Sequence, residues 1–269
     1  MYRPVEVLTK VERWERFGLA FVVLLYGAVL VRTAWLSEDA FITFRTVDNF
    51  INGHGLTWNT AERVQAYTHP LWMFLLSACY FVTREIYYTS ILLSLAVSLA
   101  AVWVFIRHVA VSMRAGIVGV LVVSCSKAFV DYSTSGLENP LTHLLLVGFA
   151  AVYLRVEQAD RKHLLALGAM VGLAMLNRMD LPLVFAPAVV WVFWRWRGWR
   201  TAVLLALGGA PFVLWLLFSL FYYGFPFPNT AYAKLGTGLE SAELWSRGAD
   251  YLLRSSRNDP LTQWSYLSG

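Results

Sequence analysis

Long apolar runs alternate with short polar connections along most of this chain, in a pattern typical of helices that cross a membrane. A span needs about 20 predominantly apolar residues, because the hydrocarbon core of a bilayer is about 30 Å thick. Seven runs approach this requirement, at 17–36, 88–106, 115–130, 139–154, 164–176, 182–194 and 201–223. The pattern predicts an all-α polytopic membrane protein with about seven transmembrane helices.

Composition supports this class. Of the 269 residues, 58% are hydrophobic and only 14% are charged, whereas soluble domains carry about 25% charged residues. A water-soluble fold of this size could not bury so much apolar surface, which excludes an ordinary cytosolic enzyme and a disordered regulator. The two cysteines, Cys79 and Cys125, lie within apolar runs and provide neither a disulfide framework nor metal-ligand spacing. The run at 17–36 lacks a cleavage pattern and is interpreted as a retained anchor.

Basic residues set the direction of the spans, because short basic loops favour the cytoplasm. Twelve of the 22 lysines and arginines lie in four short segments, at 1–16, 107–114, 155–163 and 195–200. Twelve of the 17 acidic residues lie in the other connections, at 37–87, 125–138, 177–181 and 223–269. The first set is therefore predicted to be cytoplasmic and the second set to lie outside.

An eighth apolar run, at 69–82, is ambiguous. If it crossed the membrane, every later basic loop would fall outside. Its helix would also cover only about 20 Å, which is short of the hydrocarbon core. It is therefore predicted to lie on, or dip into, the outer face. The chain is then organised as a cytoplasmic N-terminus (1–16), a transmembrane module (17–223) that includes a long outer loop (37–87), and an outer C-terminal segment (224–269).

The outer loop is predicted to begin with an amphipathic helix over 38–52, whose apolar stripe is Phe41, Phe44, Val47 and Ile51. Such a helix should lie in the plane of the membrane interface. Glu38 and Asp39 occupy its first turn, where the helix dipole favours carboxylates. Alone, this acidic pair is also consistent with a simple helix start.

Every outer connection carries acid, base or amide groups close to a helix end, and such groups at membrane depth usually line a cavity. An outer pocket with carboxylates, arginine and lysine suits sugar transfer from a lipid-phosphate donor. One carboxylate would take the proton of an acceptor hydroxyl, and the cations would hold the departing phosphate. The candidate site residues are Glu38, Asp39, Arg45, Arg63, Tyr67, His69, Glu138, Asn139, Arg178, Asp180, Asn229 and Lys234.

Several short stretches, in order along the chain, resemble those of GT-C membrane glycosyltransferases, and most closely the actinobacterial cell-wall arabinofuranosyltransferases that add terminal β-arabinofuranosyl residues. The matching stretches lie at 37–45, 53–59, 62–64, 134–139, 178–180, 222–224 and 228–234. The resemblance implies a seven-span module with jaw helices in the first outer loop. It also implies inverting transfer at the outer face from a polyprenyl-phosphate sugar such as decaprenyl-phosphoryl-arabinofuranose.

By this resemblance the family's acidic pair corresponds to Glu38 and Asp39, with Asp39 favoured as the base and Glu38 the alternative. Arg178 and Lys234 would hold the donor phosphate. The Arg-Pro-Glu-like stretch of the family appears as 178–180, with Asp180 in place of the glutamate. Family members are longer, so the segment 224–269 is expected to be truncated.

The expected partners are a polyprenyl-phosphate sugar, a glycan acceptor and the lipid bilayer, with no nucleic acid. No cofactor is predicted, and a divalent metal is not excluded because Glu38, Asp39 and His69 could meet in space. The expected location is the bacterial inner membrane, with the site facing outward. A transporter or flippase, or an inactive truncated relative, is the alternative.

Overall fold

Helices form every regular element in the parts of the chain that the computed structural model describes, which are residues 5–155, 161–235 and 241–258. This agrees with the all-α prediction. The elements are α1 (Val5–Arg32), α2 (Ala40–Ile51), α3 (Pro70–Thr83), α4 (Ile86–Val104), a π-helical turn (Phe105–Val109), α5 (Met113–Cys125), α6 (Lys127–Tyr132), α7 (Asn139–Tyr153), α8 (Arg161–Asn177), α9 (Pro182–Arg195), α10 (Trp199–Gly208), α11 (Ala210–Tyr223), α12 (Asn229–Leu235) and α13 (Ser241–Asn258).

Two helical stretches among the described residues are long and apolar enough to cross a bilayer, at 13–32 and 86–109. The pair α10 and α11 makes a third if it counts as one span, and its two halves are bent by 55°. Four shorter helices, α3, α5, α7 and α9, are also apolar. These helices give the chain the character of an integral membrane protein.

Helix α3 joins the two main apolar clusters of the molecule. Trp72 is fully buried among residues of α4, α7, α8 and α9. Met73 and Leu76, one and four positions further on, are buried instead among residues of α2, α11 and the loop before α3. Because successive side chains on a helix point in different directions, this short helix can fill both clusters.

Helix α2 differs in detail from its prediction. It begins at Ala40 rather than at residue 38, after a turn over residues 38 and 39. Its packed face consists of Ala40, Thr43, Phe44, Thr46 and Val47. Phe41, which was predicted to belong to the apolar stripe, is 52% exposed. The packed face is therefore rotated from the predicted stripe, because Thr43 and Thr46 are buried in place of Phe41 and Ile51.

Small residues allow α8 to approach α10 and the start of α11 closely. Gly168 and Gly172 are one turn apart on α8, and they face the backbone of Leu205 and Gly209 respectively. Such spacing of small residues is common where membrane helices cross, because it lets the backbones come together. The contact fixes the bent α10–α11 pair against the centre of the bundle.

Replacing Gly168 with alanine is expected to destabilise the protein, because the added Cβ would overlap the backbone of Leu205. Overpacking of this kind costs about 1–3 kcal/mol. The matched control is Gly27→Ala in α1, where a Cβ would meet only the Leu99 side chain at 3.8 Å. Thermal unfolding in detergent should show a lower midpoint for the first variant and not for the second. Equal midpoints would contradict the close approach.

Candidate active site

The segment 133–139, between α6 and α7, is fixed by donors from three other parts of the chain. The Ser37 amide donates to the Ser135 carbonyl at 2.9 Å, and the Trp72 indole N–H donates to the Gly136 carbonyl at 2.9 Å. The Asn177 side-chain amide donates to the Glu138 carbonyl at 3.1 Å. The start of α2, the start of α3 and the end of α8 therefore meet at one segment.

Gly136 is required at the centre of this segment. Its φ of +77° lies in the left-handed region that L side chains rarely adopt. A Cβ at this position would also lie only 2.8 Å from the Leu36 side chain and 3.0 Å from Cβ of Ala40. The glycine thus allows the segment to turn directly beneath the beginning of α2.

A buried imidazole connects α2 to this segment. Nε2 of His69 lies 2.7 Å from Oγ1 of Thr43, and Nδ1 lies 3.2 Å from Oε2 of Glu138. His69 is 6% exposed and Thr43 is 1% exposed. A carboxylate only accepts hydrogen bonds, so the contacts favour a proton on Nδ1 and a Thr43 hydroxyl that donates to Nε2. Burial lowers the pKa of His69, and the opposing effect of the Glu138 charge does not cancel it.

Arg178 lies beside the same carboxylate, just after α8. Its Nε and Nη2 donate to the two carboxylate oxygens of Asp180 at 3.0 and 2.9 Å. Its Nη1 lies 3.5 Å from both Oε1 of Glu138 and Oδ1 of Asn139. The hydrogen bonds from Arg178 lower the pKa of Asp180. One guanidinium therefore spans two carboxylates, one exposed and one nearly buried.

Asn177 supports this arrangement from beneath. It is fully buried, and its amide also donates to Oγ1 of Thr142 at 2.9 Å. Its Oδ1 has no hydrogen-bond partner within the described ranges. A buried acceptor without a partner is costly. The two hydrogen bonds that the Asn177 side-chain NH2 group donates, to the Glu138 carbonyl and to Thr142, offset this cost.

The acidic pair lies at the exposed edge of this cluster. Asp39 is at the N-cap of α2 and has helical backbone angles, and Glu38 precedes it in the turn. Both side chains are exposed, and neither makes a hydrogen bond or ion pair within the part of the chain that is described. Residues four apart share one face of a helix. Asp39 therefore stands about one turn above Thr43 and the buried imidazole.

A second polar cluster fastens the end of α11 to the outer loop. The hydroxyls of Tyr67 and Tyr223 are 3.0 Å apart, and Tyr223 also donates to the Leu56 carbonyl at 2.7 Å. The Leu56 amide donates to the Tyr222 hydroxyl at 3.2 Å. Burial raises the pKa of Tyr67 well above its ordinary value. This tyrosine therefore acts as a neutral hydrogen-bonding group.

Two predicted arginines face aromatic rings of the loop. The Arg45 guanidinium lies 4.4 Å from the Trp58 ring centre and donates to Oδ1 of Asn59 at 3.2 Å. The Arg63 guanidinium lies 5.0 Å from the Tyr222 ring centre. These contacts place both cations on the loop side of α2 and α11, outside the hydrogen-bonded group around His69.

The remaining predicted residues follow α11. The backbone N–H of Asn229 donates to the backbone carbonyl of Gln65 at 3.1 Å, and this bond joins the start of α12 to the loop before α3. Lys234 belongs to α12, and its side chain lies outside the described part of the structure. Among the residues described, no three histidine, cysteine, aspartate or glutamate side chains form a group that could hold a metal ion.

The structure thus brings His69, Glu138, Asn139, Arg178 and Asp180 together, with Asp39 at the edge. Two members of the cluster, Thr43 and Asn177, were not among the predicted site residues. Thr43 follows Asp39 by four positions and lies on the packed face of α2. That spacing is the signal that could have identified it, whereas only the fold shows that Asn177 reaches α7.

Acid, guanidinium and imidazole groups thus gather at the ends of apolar helices. The chain belongs to the family described as dolichyl-phosphate-mannose-protein mannosyltransferase, whose sequence pattern matches residues 70–223. The match begins one residue after His69 and includes α3 to α11. It therefore includes Glu138, which contacts His69, and Arg178, which contacts Glu138.

Two curated proteins are similar over most of the chain. A terminal beta-(1->2)-arabinofuranosyltransferase of Mycobacterium tuberculosis is 30% identical over 275 aligned positions, which include 96% of this chain and 43% of that protein. A terminal beta-(1->2)-arabinofuranosyltransferase of Corynebacterium glutamicum is 28% identical over 255 positions, which include 81% of this chain and 35% of that protein. The chain thus spans less than half the length of these relatives. No solved structure matches it. The predicted resemblance to arabinofuranosyltransferases is confirmed.

His69→Gln is expected to reduce the loss of stability that accompanies acidification. Because burial lowers the pKa of His69 below its ordinary 6.5, the unfolded state binds a proton first as the pH falls. The wild type should therefore lose stability as the pH falls below about 6.5. Thermal unfolding at pH 7.5 and 5.5 measures the difference. The control is His54→Gln, an exposed imidazole in the same loop, which should keep the wild-type pH dependence.

Proposed function

We propose that the protein transfers an arabinofuranosyl residue from a polyprenyl-phosphate donor to a hydroxyl of a cell-envelope glycan, with inversion, at the outer face of the bacterial inner membrane. The observation that carries the proposal is the position of Asp39. Its exposed carboxylate lies one helical turn from the buried Thr43–His69–Glu138 chain, which in turn contacts the Arg178 guanidinium. An available base and a phosphate-binding cation thus belong to one cluster.

The donor class is supported by the names of the relatives. The family description specifies a dolichyl-phosphate sugar, and the two similar proteins are named for arabinofuranosyl transfer. Dolichyl phosphate is itself a polyprenyl-type carrier, so both descriptions fit a donor whose phosphate is anchored in the membrane. The sugar is taken from the arabinofuranosyltransferases because they match more of the chain.

The topology in this proposal has seven spans. They are α1, α4 with its π-helical turn, α5 with α6, α7, α8, α9 and the bent pair α10–α11. Helices α2 and α3 are the jaw helices of the outer loop 37–87, and 224–269 is an outer segment. Hydrogen bonds join the four connections assigned to the outside, at 37–87, 125–138, 177–181 and 223–269.

Contacts at the opposite end support the same topology. Arg114 and Glu15 form an ion pair at 2.7 Å, and Arg155 lies 2.7 Å from Nδ1 of His108. These residues come from three of the basic segments predicted to be cytoplasmic. The basic connections therefore contact one another at one end of the molecule, and the connections assigned to the outside contact one another at the other end.

In the proposed reaction, the acceptor hydroxyl oxygen attacks the anomeric carbon of the donor sugar. The bond between that carbon and the phosphate oxygen breaks, and the phosphate leaves with the bonding electrons. Asp39 takes the proton of the hydroxyl, with Glu38 as the alternative base. A single displacement of this kind inverts the anomeric configuration. The developing positive charge on the sugar ring resembles that in glycoside hydrolysis.

The leaving phosphate gains negative charge, which cations stabilise. Arg178 and Lys234 are assigned this role. The planar guanidinium already binds the Asp180 carboxylate in a bidentate way, and a phosphate can be bound with the same geometry. Glu138 and Asp180 would position this guanidinium between substrates, while His69 holds Glu138.

The remaining predicted residues are assigned to substrate contact. In this assignment Tyr67 and Arg63 would serve the side of the site near α11, and Arg45 would serve the side near α2. Asn139 and Asn229 provide amide groups at the starts of α7 and α12. An aromatic ring beside an arginine, as for Trp58 and Arg45, also provides a flat surface for a sugar ring.

Asp39→Asn is expected to lower sugar transfer by at least about a hundredfold, because general-base catalysis contributes about 10²–10⁴-fold. The measurement is transfer of labelled arabinofuranose from polyprenyl phosphate to an oligosaccharide acceptor by the full chain in proteoliposomes. Asp48→Asn is the matched control, since Asp48 is an exposed aspartate on the same helix that bonds to Tyr80 and Asn52. Glu38→Gln tests the alternative base.

Retention of activity in both the Asp39→Asn and Glu38→Gln variants would refute the assignment of the base. Loss in Asp48→Asn as well would indicate damage to α2 rather than to the chemistry. The midpoint of thermal unfolding, measured on the same preparations, separates these outcomes.

Arg178→Gln is expected to weaken use of the donor, with kcat/KM for the polyprenyl-phosphate sugar lowered about tenfold or more, because a charge-assisted hydrogen bond to phosphate is lost. Arg178→Lys should recover only part of this loss, since lysine cannot bind bidentately. Steady-state kinetics with varied donor, at saturating acceptor, measure the effect. An unchanged dependence on donor concentration in Arg178→Gln would exclude a phosphate contact.

A further inference from the structure

A cavity of about 550 Å³ lies at the end of the bundle opposite to the candidate active site. It is bounded by the beginning of α8 and by the turn that joins α9 to α10. Helix α8 has 17 residues, so its first residue is about 25 Å along the axis from Asn177. The cavity is therefore separate from the Arg178 cluster and lies near the other membrane surface.

Three arginines line this cavity, namely Arg161, Arg197 and Arg200. Among the described residues that line it, none is acidic. Within the described ranges none of the three makes an ion pair. Arg197 donates one hydrogen bond, from Nε to the Trp194 carbonyl at 3.3 Å. Three guanidinium groups around one concavity repel one another, and an anion in the cavity would relieve this repulsion.

The turn that forms the cavity is held in a defined shape. Gly198 has φ +155° and ψ +156°, a conformation open to glycine. Immediately after it, the Thr201 hydroxyl donates to the Trp196 carbonyl at 2.6 Å. These two features fix Arg197 and Arg200 on either side of the turn. The conformation of the α9–α10 connection therefore defines this side of the cavity.

Apolar and aromatic groups complete the lining. Leu164 is buried, Leu204 lies one turn beyond Arg200 on α10, and the rings of Trp196 and Trp199 border the opening. The Arg200 guanidinium lies 5.9 Å from the Trp199 ring centre. Tryptophan rings beside arginines are typical of the level of lipid headgroups. A ligand here would meet both cations and apolar surface.

We infer that this cavity binds the headgroup phosphate of an anionic phospholipid in the leaflet opposite to the active site. The arginines would bind the phosphate oxygens, and Leu164, Leu204 and the tryptophans would contact the glycerol and the first methylenes of the chains. A free phosphate ion would use the cations but not the apolar part of the lining. The inference does not depend on the proposed sugar transfer.

The test compares two triple variants of the full chain in detergent, using phosphatidylglycerol as the probe and native mass spectrometry to measure its dissociation constant. The first variant is Arg161→Gln, Arg197→Gln and Arg200→Gln. The matched control is Arg13→Gln, Arg16→Gln and Arg107→Gln, which removes the same charge from exposed arginines of other basic segments. Phosphatidylcholine and inorganic phosphate are measured in parallel.

We expect the first triple variant to bind phosphatidylglycerol on the order of a hundredfold more weakly, since each guanidinium that contacts the phosphate contributes about fivefold through charge-assisted hydrogen bonds. The control should change less than about threefold, because an arginine outside the cavity does not contact the lipid. If the triple variant does not fold, Arg200→Gln alone carries the same test, with about fivefold weaker binding expected.

Equal weakening in both triple variants would show a diffuse charge effect and overturn the inference. Unchanged binding in the cavity variant would also overturn it. Inorganic phosphate that binds the wild type as tightly as phosphatidylglycerol, or displaces it at equal concentration, would assign the cavity to a soluble anion instead. Phosphatidylcholine that binds as tightly would show that the arginines do not select charge.

Discussion

Three hydrogen bonds to consecutive parts of one segment determine where the candidate site lies. The donors are the Ser37 amide, the Trp72 indole and the Asn177 side chain, and the acceptors are backbone carbonyls of residues 135, 136 and 138. Residues 133–136 are buried, and a buried carbonyl must find a donor within the protein because water does not reach it. Each donor comes from a different part of the chain. Satisfying this one segment therefore brings the beginnings of α2, α3 and α7 and the end of α8 to the same place.

The same arrangement separates two kinds of carboxylate. Glu138 is nearly buried and is held by His69 and Arg178, whereas Asp39 is exposed above them. The nearly buried carboxylate of Glu138 contacts the Arg178 guanidinium and can keep it in a fixed position. An exposed carboxylate at a helix start can reach an acceptor that arrives from water. This difference in burial is the reason for proposing Asp39, and not Glu138, as the base.

Hydrophobic patterning predicted the helical class and the positions of most helices, because a bilayer demands long apolar segments. It did not predict the 55° bend between α10 and α11, since Gly208 and Gly209 leave the run 201–223 uniformly apolar. The break between α5 and α6 was missed for a similar reason, because Ser126 starts a new helix by capping the amide of Phe129. Among the site residues, His69, Glu138 and Arg178 could be chosen from their position near helix ends. Thr43 could have been chosen from its spacing after Asp39, but the contact of Asn177 with α7 could not, because it depends on which helices touch.

The placement of apolar residues on α2 gives the candidate site a direction of access. Phe41 and Ile42 are exposed at the start of α2, on the side away from its packed face. Exposed aromatic and aliphatic side chains on a helix beside a membrane favour contact with lipid. Asp39, by contrast, lies above the polar cluster at the start of the same helix. In the proposed reaction, a lipid-linked donor would approach past Phe41 and Ile42, and a polar acceptor would approach from the open end near Asp39. A displacement at the sugar carbon would then require the donor phosphate to lie within reach of Arg178.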